Sequence, residues 1–196
     1  VKKLLVILTM VFAAVSSEAA LKEGDLNLMG GAGLYGSRGI MGFSMDRFFT
    51  EHHAITGAVG ADITGAGTMV GYKYFTAKMN NSSSAWDKCL FIFNCDVYYH
   101  AGGGVQYAGS TEVKFTESTG DERDYHTDPK WFGMATTGFR SVYTNGITVD
   151  LEITYRSIFA GGDYQQTAGA VDSSDAQYIE RGYRGVGFGL AMGYMF

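Results

Sequence analysis

Along most of the chain, large apolar residues alternate with small or polar ones at a period of two, the mark of strands with unlike faces. In Arg181 to Phe196, the residues Val186, Phe188, Leu190, Met192, Tyr194 and Phe196 share one phase, and Gly187, Gly189, Ala191, Gly193 and Met195 the other. Ile147 to Phe159 has the cleanest faces: Ile147, Val149, Leu151, Ile153, Tyr155 and Phe159 oppose Thr148, Asp150, Glu152, Thr154 and Arg156. Carried over the whole chain, the pattern predicts eight strands: Leu26 to Gly36, Ile40 to Phe49, Ala54 to Thr64, Thr68 to Thr76, Val97 to Gly109, Trp131 to Tyr143, Ile147 to Phe159 and Arg181 to Phe196.

The other strands sort the same way. Met41, Phe43 and Met45 oppose Ser44 and Asp46, and Ile55, Val59 and Ile63 oppose Thr56 and Asp62 before a short Gly65-Ala66-Gly67 link. Val70, Tyr72 and Tyr74 stand opposite Lys73, and Val97, Tyr99, Val105 and Tyr107 opposite His100 and Gln106. In the last strand the polar face would be mostly Gly and Ala, a poor exterior for a soluble β-sandwich or lipocalin-like barrel. The pattern suits lipid, where barrel strands turn apolar residues to the bilayer and polar or small ones to the lumen. The predicted fold is all-β: an eight-stranded antiparallel up-and-down transmembrane β-barrel, closed because lipid cannot satisfy an open strand edge. Strands of about ten residues, tilted about 45°, cover an apolar band of roughly 25 Å. Phe48 and Phe49 fit an aromatic belt at the membrane interface.

Connection lengths orient the barrel. Links after the second and sixth strands are short, while those after the fifth and seventh, about Ser110 to Lys130 and Gly161 to Glu180, are long. That matches short periplasmic turns and longer outside loops, with Phe196 on the periplasmic side. The link after the fourth strand, Ala77 to Asp96, departs from the pattern in being long and in carrying both cysteines. Register is set at Thr144-Asn145-Gly146. A two-residue turn would place Arg140 beside Leu151 on the lipid face, at about 2–4 kcal/mol for mid-bilayer and less near the rim. A three-residue loop with a left-handed glycine pairs Tyr143 with Ile147 and Arg140 with Asp150, and this is the register expected.

At the N-terminus, Lys2 and Lys3 precede an apolar run from Leu4 to Val15 and the small-residue stretch Ser16 to Ala20. The run is shorter than the roughly 20 residues of a spanning helix, and Ser17 and Ala19 suit cleavage after Ala19. Residues 1–19 are expected to be a cleaved signal peptide and residues 20–196 one barrel domain, the formal charge moving from −5 to about −6. Beyond the signal no apolar stretch is long enough for a spanning helix, and a mean hydropathy of −0.02 underestimates a barrel whose membrane signal lies in alternation. The negative charge argues against a nucleic-acid surface, and the spread of aromatic and β-branched residues against disorder.

The inward polar positions, Asp46, Asp62, Lys73, His100, Gln106, Arg140, Asp150, Glu152 and Arg156, nearly balance in charge. A proton relay or catalytic cluster is one reading. A sealed salt-bridge network is the expected one, because eight strands leave an interior just wide enough for side chains to fill and enclosed charges persist when paired. Many lumen positions are Gly or Ala, so small water-filled gaps are expected to remain. Cys89 and Cys95, in an oxidising compartment, are expected to form a disulfide rather than a metal pair or catalytic thiols. The bridge would pin the apolar tip Leu90 to Phe93 either into the membrane surface or a partner, or against the barrel rim. His52 and His53 are adjacent and face opposite ways, so a turn pair is expected rather than a metal site. Ser118, Asp124 and His126 are the types acyl transfer needs, but their spacing specifies nothing, and no enzyme, metal or cofactor is expected. Asp121, Glu122, Asp124 and Asp128 could bind divalent cations that bridge lipopolysaccharide, and Arg181 and Arg184 could meet lipid phosphates.

The ending Gly-Tyr-Met-Phe, with Tyr194 and Phe196, and the stretch Gly71 to Phe75 look like sequences common in bacterial outer-membrane barrels. With the signal peptide and the eight segments, the mature chain resembles the small OmpA-, OmpX- and OmpW-like group. The resemblance implies a Gram-negative outer membrane reached through the periplasm, insertion by the barrel-assembly machinery through the C-terminal strand, and contact with outer-membrane lipid and lipopolysaccharide. It also implies an extracellular protein or surface ligand at the outside loops. The C-terminal peptidoglycan-binding domain of the full-length OmpA pattern is not seen. The leading expectation is a structural or interaction barrel. The alternatives are a porin-like, OmpW-like conduit for small apolar solutes, which would need an apolar lumen and a lateral opening, and a lipid-modifying enzyme.

Overall fold

The computed structural model describes residues 20–34, 38–62, 65–79, 95–116, 122–169, 175, 177, 179 and 184–196, with the backbone alone for Asp62. Within them run β1 (Leu26–Leu34), β2 (Met41–Thr50), β3 (His53–Asp62), β4 (Gly65–Phe75), β5 (Cys95–Ala108), β6 (Thr111–Thr116), β7 (Glu122–Thr127), β8 (Lys130–Tyr143), β9 (Ile147–Gly161), β10 (Tyr164–Ala168) and β11 (Arg184–Met195). Eight of these close into one antiparallel barrel in the order β1-β11-β9-β8-β5-β4-β3-β2. The first and last strands meet in register from Asn27 opposite Met195 to Leu34 opposite Phe188, so no barrel strand keeps an open edge.

Closure turns the alternation of the pleat into an inside and an outside. Asp46, Lys73, His100, Arg140, Asp150, Glu152 and Arg156 are buried in the lumen, while Phe43, Ile55, Val70, Leu151, Ile153 and Phe188 are exposed on the wall. The β8–β9 hairpin has the register that the charge argument favoured. Gly146 is left-handed at φ 83°, its N–H donates to Tyr143 O at 2.9 Å, and Arg140 lies opposite Asp150.

Several expectations are corrected. Gly65 to Gly67 is not a link but the start of β4, paired with Asp62 to Gly60, and residues 63–64 of the connection lie outside the described residues. Phe48 does not join an interface belt: the phase that buries Ser44 and Asp46 carries it inward, where its ring meets Phe75 at 5.0 Å. Phe49 alone faces out. Tyr194 keeps the outward phase yet is buried, its ring covered by the β8–β9 turn at Gly146 and set edge-on to Phe196 at 4.9 Å.

The larger correction concerns the two long loops. Each contributes strands, and β6, β7 and β10 form a separate three-stranded sheet in the order β10-β7-β6 beyond one end of the barrel. Val113 and Phe115 already alternate with Glu112 and Lys114 in the sequence, so β6 had a readable signal. β10 had none, because its conformation follows from pairing with β7 across Gln165 and His126. The end bearing this sheet is termed the sheet end. The opposite end, with the β2–β3 and β8–β9 turns, is the turn end, and Leu21 folds into it with its N–H 3.4 Å from Tyr98 Oη.

Replacing Gly146 by Ala forces a side chain into a left-handed site where an added Cβ would meet Tyr194 Cζ at 2.8 Å. Urea unfolding of the refolded barrel should show a loss of about 1–3 kcal/mol. The same change at Gly109, where the nearest atom to an added Cβ is Ala66 O at 3.7 Å, should be close to neutral.

Candidate functional site

β9 is the strand on which the lumen is built. Its inward phase supplies Thr148, Asp150, Glu152, Thr154 and Arg156, all buried, because each lies two residues from the next. Its neighbours β8 and β11 fix its height, with Arg140 opposite Asp150 on one side and Ala191 opposite it on the other. The small Ala191 leaves room for the charged side chains to cross the lumen toward β2, β4 and β5.

Asp150 is the hub. Its Oδ2 accepts from Arg140 Nη2, and from Arg140 Nε at 3.2 Å. His100 Nε2 lies 3.0 Å from Oδ1, and Lys73 Nζ and Arg38 Nη2 lie 3.9 Å and 3.6 Å from Oδ2. Arg140 Nη2 also donates to Asp46 Oδ2 at 2.6 Å, tying β8 to the far wall. Lys73 Nζ donates to Glu152 Oε2 at 2.8 Å, and Thr154 Oγ1 donates to Glu152 Oε1 at 3.1 Å. Charge-assisted bonds of this kind are roughly twice as strong as neutral ones and grow further when screened from water. The pairs offset a desolvation cost that none of these ions would meet alone.

Apolar layers enclose the charges on both sides. Toward the turn end lie Leu21, Phe48, Ala54, Phe75, Tyr98, Val142 and Met195. Toward the sheet end lie Met69, Ala108, Phe132 and Met134, covered by Tyr125 of β7 and by Ile179. Two cations bind the layers together: Arg140 sits 4.8 Å over the Phe75 ring and Arg156 4.7 Å over the Phe132 ring. Cation–π contacts of this kind strengthen when desolvated.

Of the expected lumen residues, Asp46, Lys73, His100, Gln106, Arg140, Asp150, Glu152 and Arg156 are buried inside the barrel. The side chain of Asp62 lies outside the described residues. Arg38 was missed, since by sequence it belongs to a turn. Its side chain is only 3% exposed because it reaches back into the lumen, where Nε donates to Ser44 Oγ at 2.7 Å. Arg123 was missed too: its Nε donates to Asp175 Oδ2 at 2.6 Å beneath the outer sheet. Arg38 lies in a turn, with no strand phase to read, and Arg123 meets a partner 52 residues away in the chain.

Asp124 and His126 lie on β7, with Asp124 3.7 Å from Lys114 and His126 4.0 Å from Asp128, while Ser118 and Asp121 lie outside the described residues. His52 Nδ1–H donates to Phe75 O at 3.0 Å, and His53 hydrogen-bonds Tyr72 Oη. Cys95 opens β5 and is not a free thiol, whereas Cys89 and the tip Leu90 to Phe93 lie outside the described residues. Arg184 is exposed at the start of β11, and Arg181 lies outside the described residues.

No family model matches the sequence, and no curated protein does. Among solved structures, the crystal structure of the N-terminal β-barrel domain of Pseudomonas aeruginosa OprF is similar at a TM-score of 0.45 and 11% identity, over 89% of this chain and 98% of that one.

Truncating the hub should be far costlier than truncating a rim charge. Asp150→Ala leaves Arg140 without its main partner, and the refolded barrel should lose about 3–5 kcal/mol in urea titrations. Glu112→Ala, on the exposed face of β6, should change stability by less than about 0.5 kcal/mol.

Proposed function

We propose that the chain is an integral barrel of the bacterial outer membrane with a structural or interaction role, its lumen sealed and its outer sheet the contact surface. The observation that carries this reading is the pattern of the outer wall. On the β5–β8 pair, Tyr99 and Phe139 meet edge-on at 5.6 Å near the turn end, and Tyr107 and Trp131 meet at 5.0 Å near the sheet end. The two pairs lie eight residues apart along both strands. At about 3.3 Å per residue and a tilt of about 40°, that spacing is roughly 20 Å along the barrel axis, close to the apolar band of roughly 25 Å between aromatic girdles. A soluble protein would leave Phe43, Ile55, Val70, Ile153 and Phe188 in water as one large apolar surface.

On this reading the turn end is periplasmic and the β6-β7-β10 sheet stands outside the cell. Its exposed face carries Glu112, Lys114, His126 and Gln165, a mixed polar surface suited to lipopolysaccharide headgroups or a protein partner. Residues 1–19 act as the export signal, and a Cys89–Cys95 bridge closes the insert after β4. At the foot of that insert, Lys78 pairs with Asp96 and Met79 N–H donates to Val97 O at 2.9 Å. Continuous pairing of every barrel strand argues against the lateral opening that a conduit for apolar solutes needs. The charged middle layer argues against its apolar lumen.

Refolded protein in planar bilayers should be silent to ions while keeping the heat-modifiable gel mobility of a folded barrel. Regular conductance steps that change when Arg156 or Glu152 is neutralised would sink the sealed-lumen reading. Failure of the protein to enter bilayers at all would sink the membrane reading.

A further inference from the structure

On the outward face of β2, one step of the pleat from Met45 toward the turn end, stands an exposed cation, Arg47. Its cross-strand neighbours are Leu26 and Ile55. Among the described residues no carboxylate forms an ion pair with it. Asp25, whose charge it feels, accepts instead from Lys22 N–H at 2.9 Å. A guanidinium on a lipid-facing wall reaches along its stem for the interface or for an anion.

The wall on the mid-membrane side of Arg47 is hollow. The outward row Leu28, Met45, Gly57 and Val70, with Phe43 and Val59 in the next row, lines an apolar groove of about 700 Å³. Gly57 opens it, since a Cβ added there would meet nothing nearer than Met69 O at 3.9 Å. On the turn-end side of Arg47, Phe49, His53 and Tyr74 cluster, with ring centroids 5.7 Å apart for Phe49–His53 and 5.3 Å for His53–Tyr74, and Tyr72, in the same cross-strand row as Arg47, joins them through His53.

We propose that these three features form one phospholipid site facing the periplasmic leaflet, a reading that rests on the membrane placement above. The order of features along the strands is the order of parts in the lipid. The aromatic and imidazole cluster lies at the interface, where such rings concentrate. Arg47 takes the headgroup phosphate through its planar fork of donors. The groove over Gly57 takes an acyl chain.

The test is native mass spectrometry of the refolded full chain with added phosphatidylglycerol, each variant first checked for heat-modifiable mobility. The parent protein should retain one lipid. Arg47→Gln should weaken retention about tenfold through the headgroup, and Gly57→Leu should do the same by filling the groove. Ala135→Leu, an exposed position on the β8 wall, should leave retention unchanged, and inorganic phosphate should not displace the lipid. Retention by Arg47→Gln and Gly57→Leu at the level of the parent protein would overturn the site, as would displacement by inorganic phosphate with Gly57→Leu unaffected. Flotation with phosphatidylglycerol vesicles separates the two readings. Protein that inserts but retains no lipid overturns the site alone, whereas protein that does not insert overturns the membrane placement and the site together.

Discussion

Closure of the sheet is the constraint from which the rest of the molecule follows. Once β1 pairs with β11, each barrel strand has a neighbour on both sides, and the pleat has only an inside and an outside to offer its side chains. A shift of one residue in any pairing would exchange the two sets. The β8–β9 turn guards against this, because a left-handed Gly146 permits the three-residue loop that puts Arg140 inside, opposite Asp150.

An interior closed this tightly must neutralise what it encloses. Asp150 shares two oxygens among Arg140, His100, Lys73 and Arg38, four side chains from four separate parts of the chain. Glu152 and Asp46 take up Lys73 and the second contact of Arg140. The apolar layers on either side keep water from competing for these bonds, and the bonds in turn hold the strands at the height where the apolar layers meet. The lumen is therefore a folded core with charges at its centre.

The outer sheet extends that core past the barrel rim. Tyr125 stacks edge-on with Phe115 at 5.7 Å and lies 6.4 Å from Tyr164, so one face of the sheet is an aromatic ladder continuous with Phe132 and Met134 inside the barrel. The Arg123–Asp175 pair fastens the sheet from its buried side. A hairpin alone is marginal in water; here a third strand and a packed face supply what it lacks.

The barrel strands and the inward charges were legible because both obey a period of two, and a closed barrel preserves that period from one end of each strand to the other. The register of β8 on β9 was legible too, since a buried Arg140 facing lipid was the costlier alternative. The expected aromatic belt at Phe48 and Phe49 failed by half, as proximity in sequence to a rim says less than the phase of the strand. What sequence alone did not reveal was the hub of cations around Asp150, the return of Arg38 into the lumen, β10, and the pairing of Arg123 with Asp175. Each depends on distance in space between segments far apart in the chain. Alternation is a local property of the backbone and can be read residue by residue, whereas the choice of which charge meets which is made only when closure brings opposite walls within hydrogen-bonding reach.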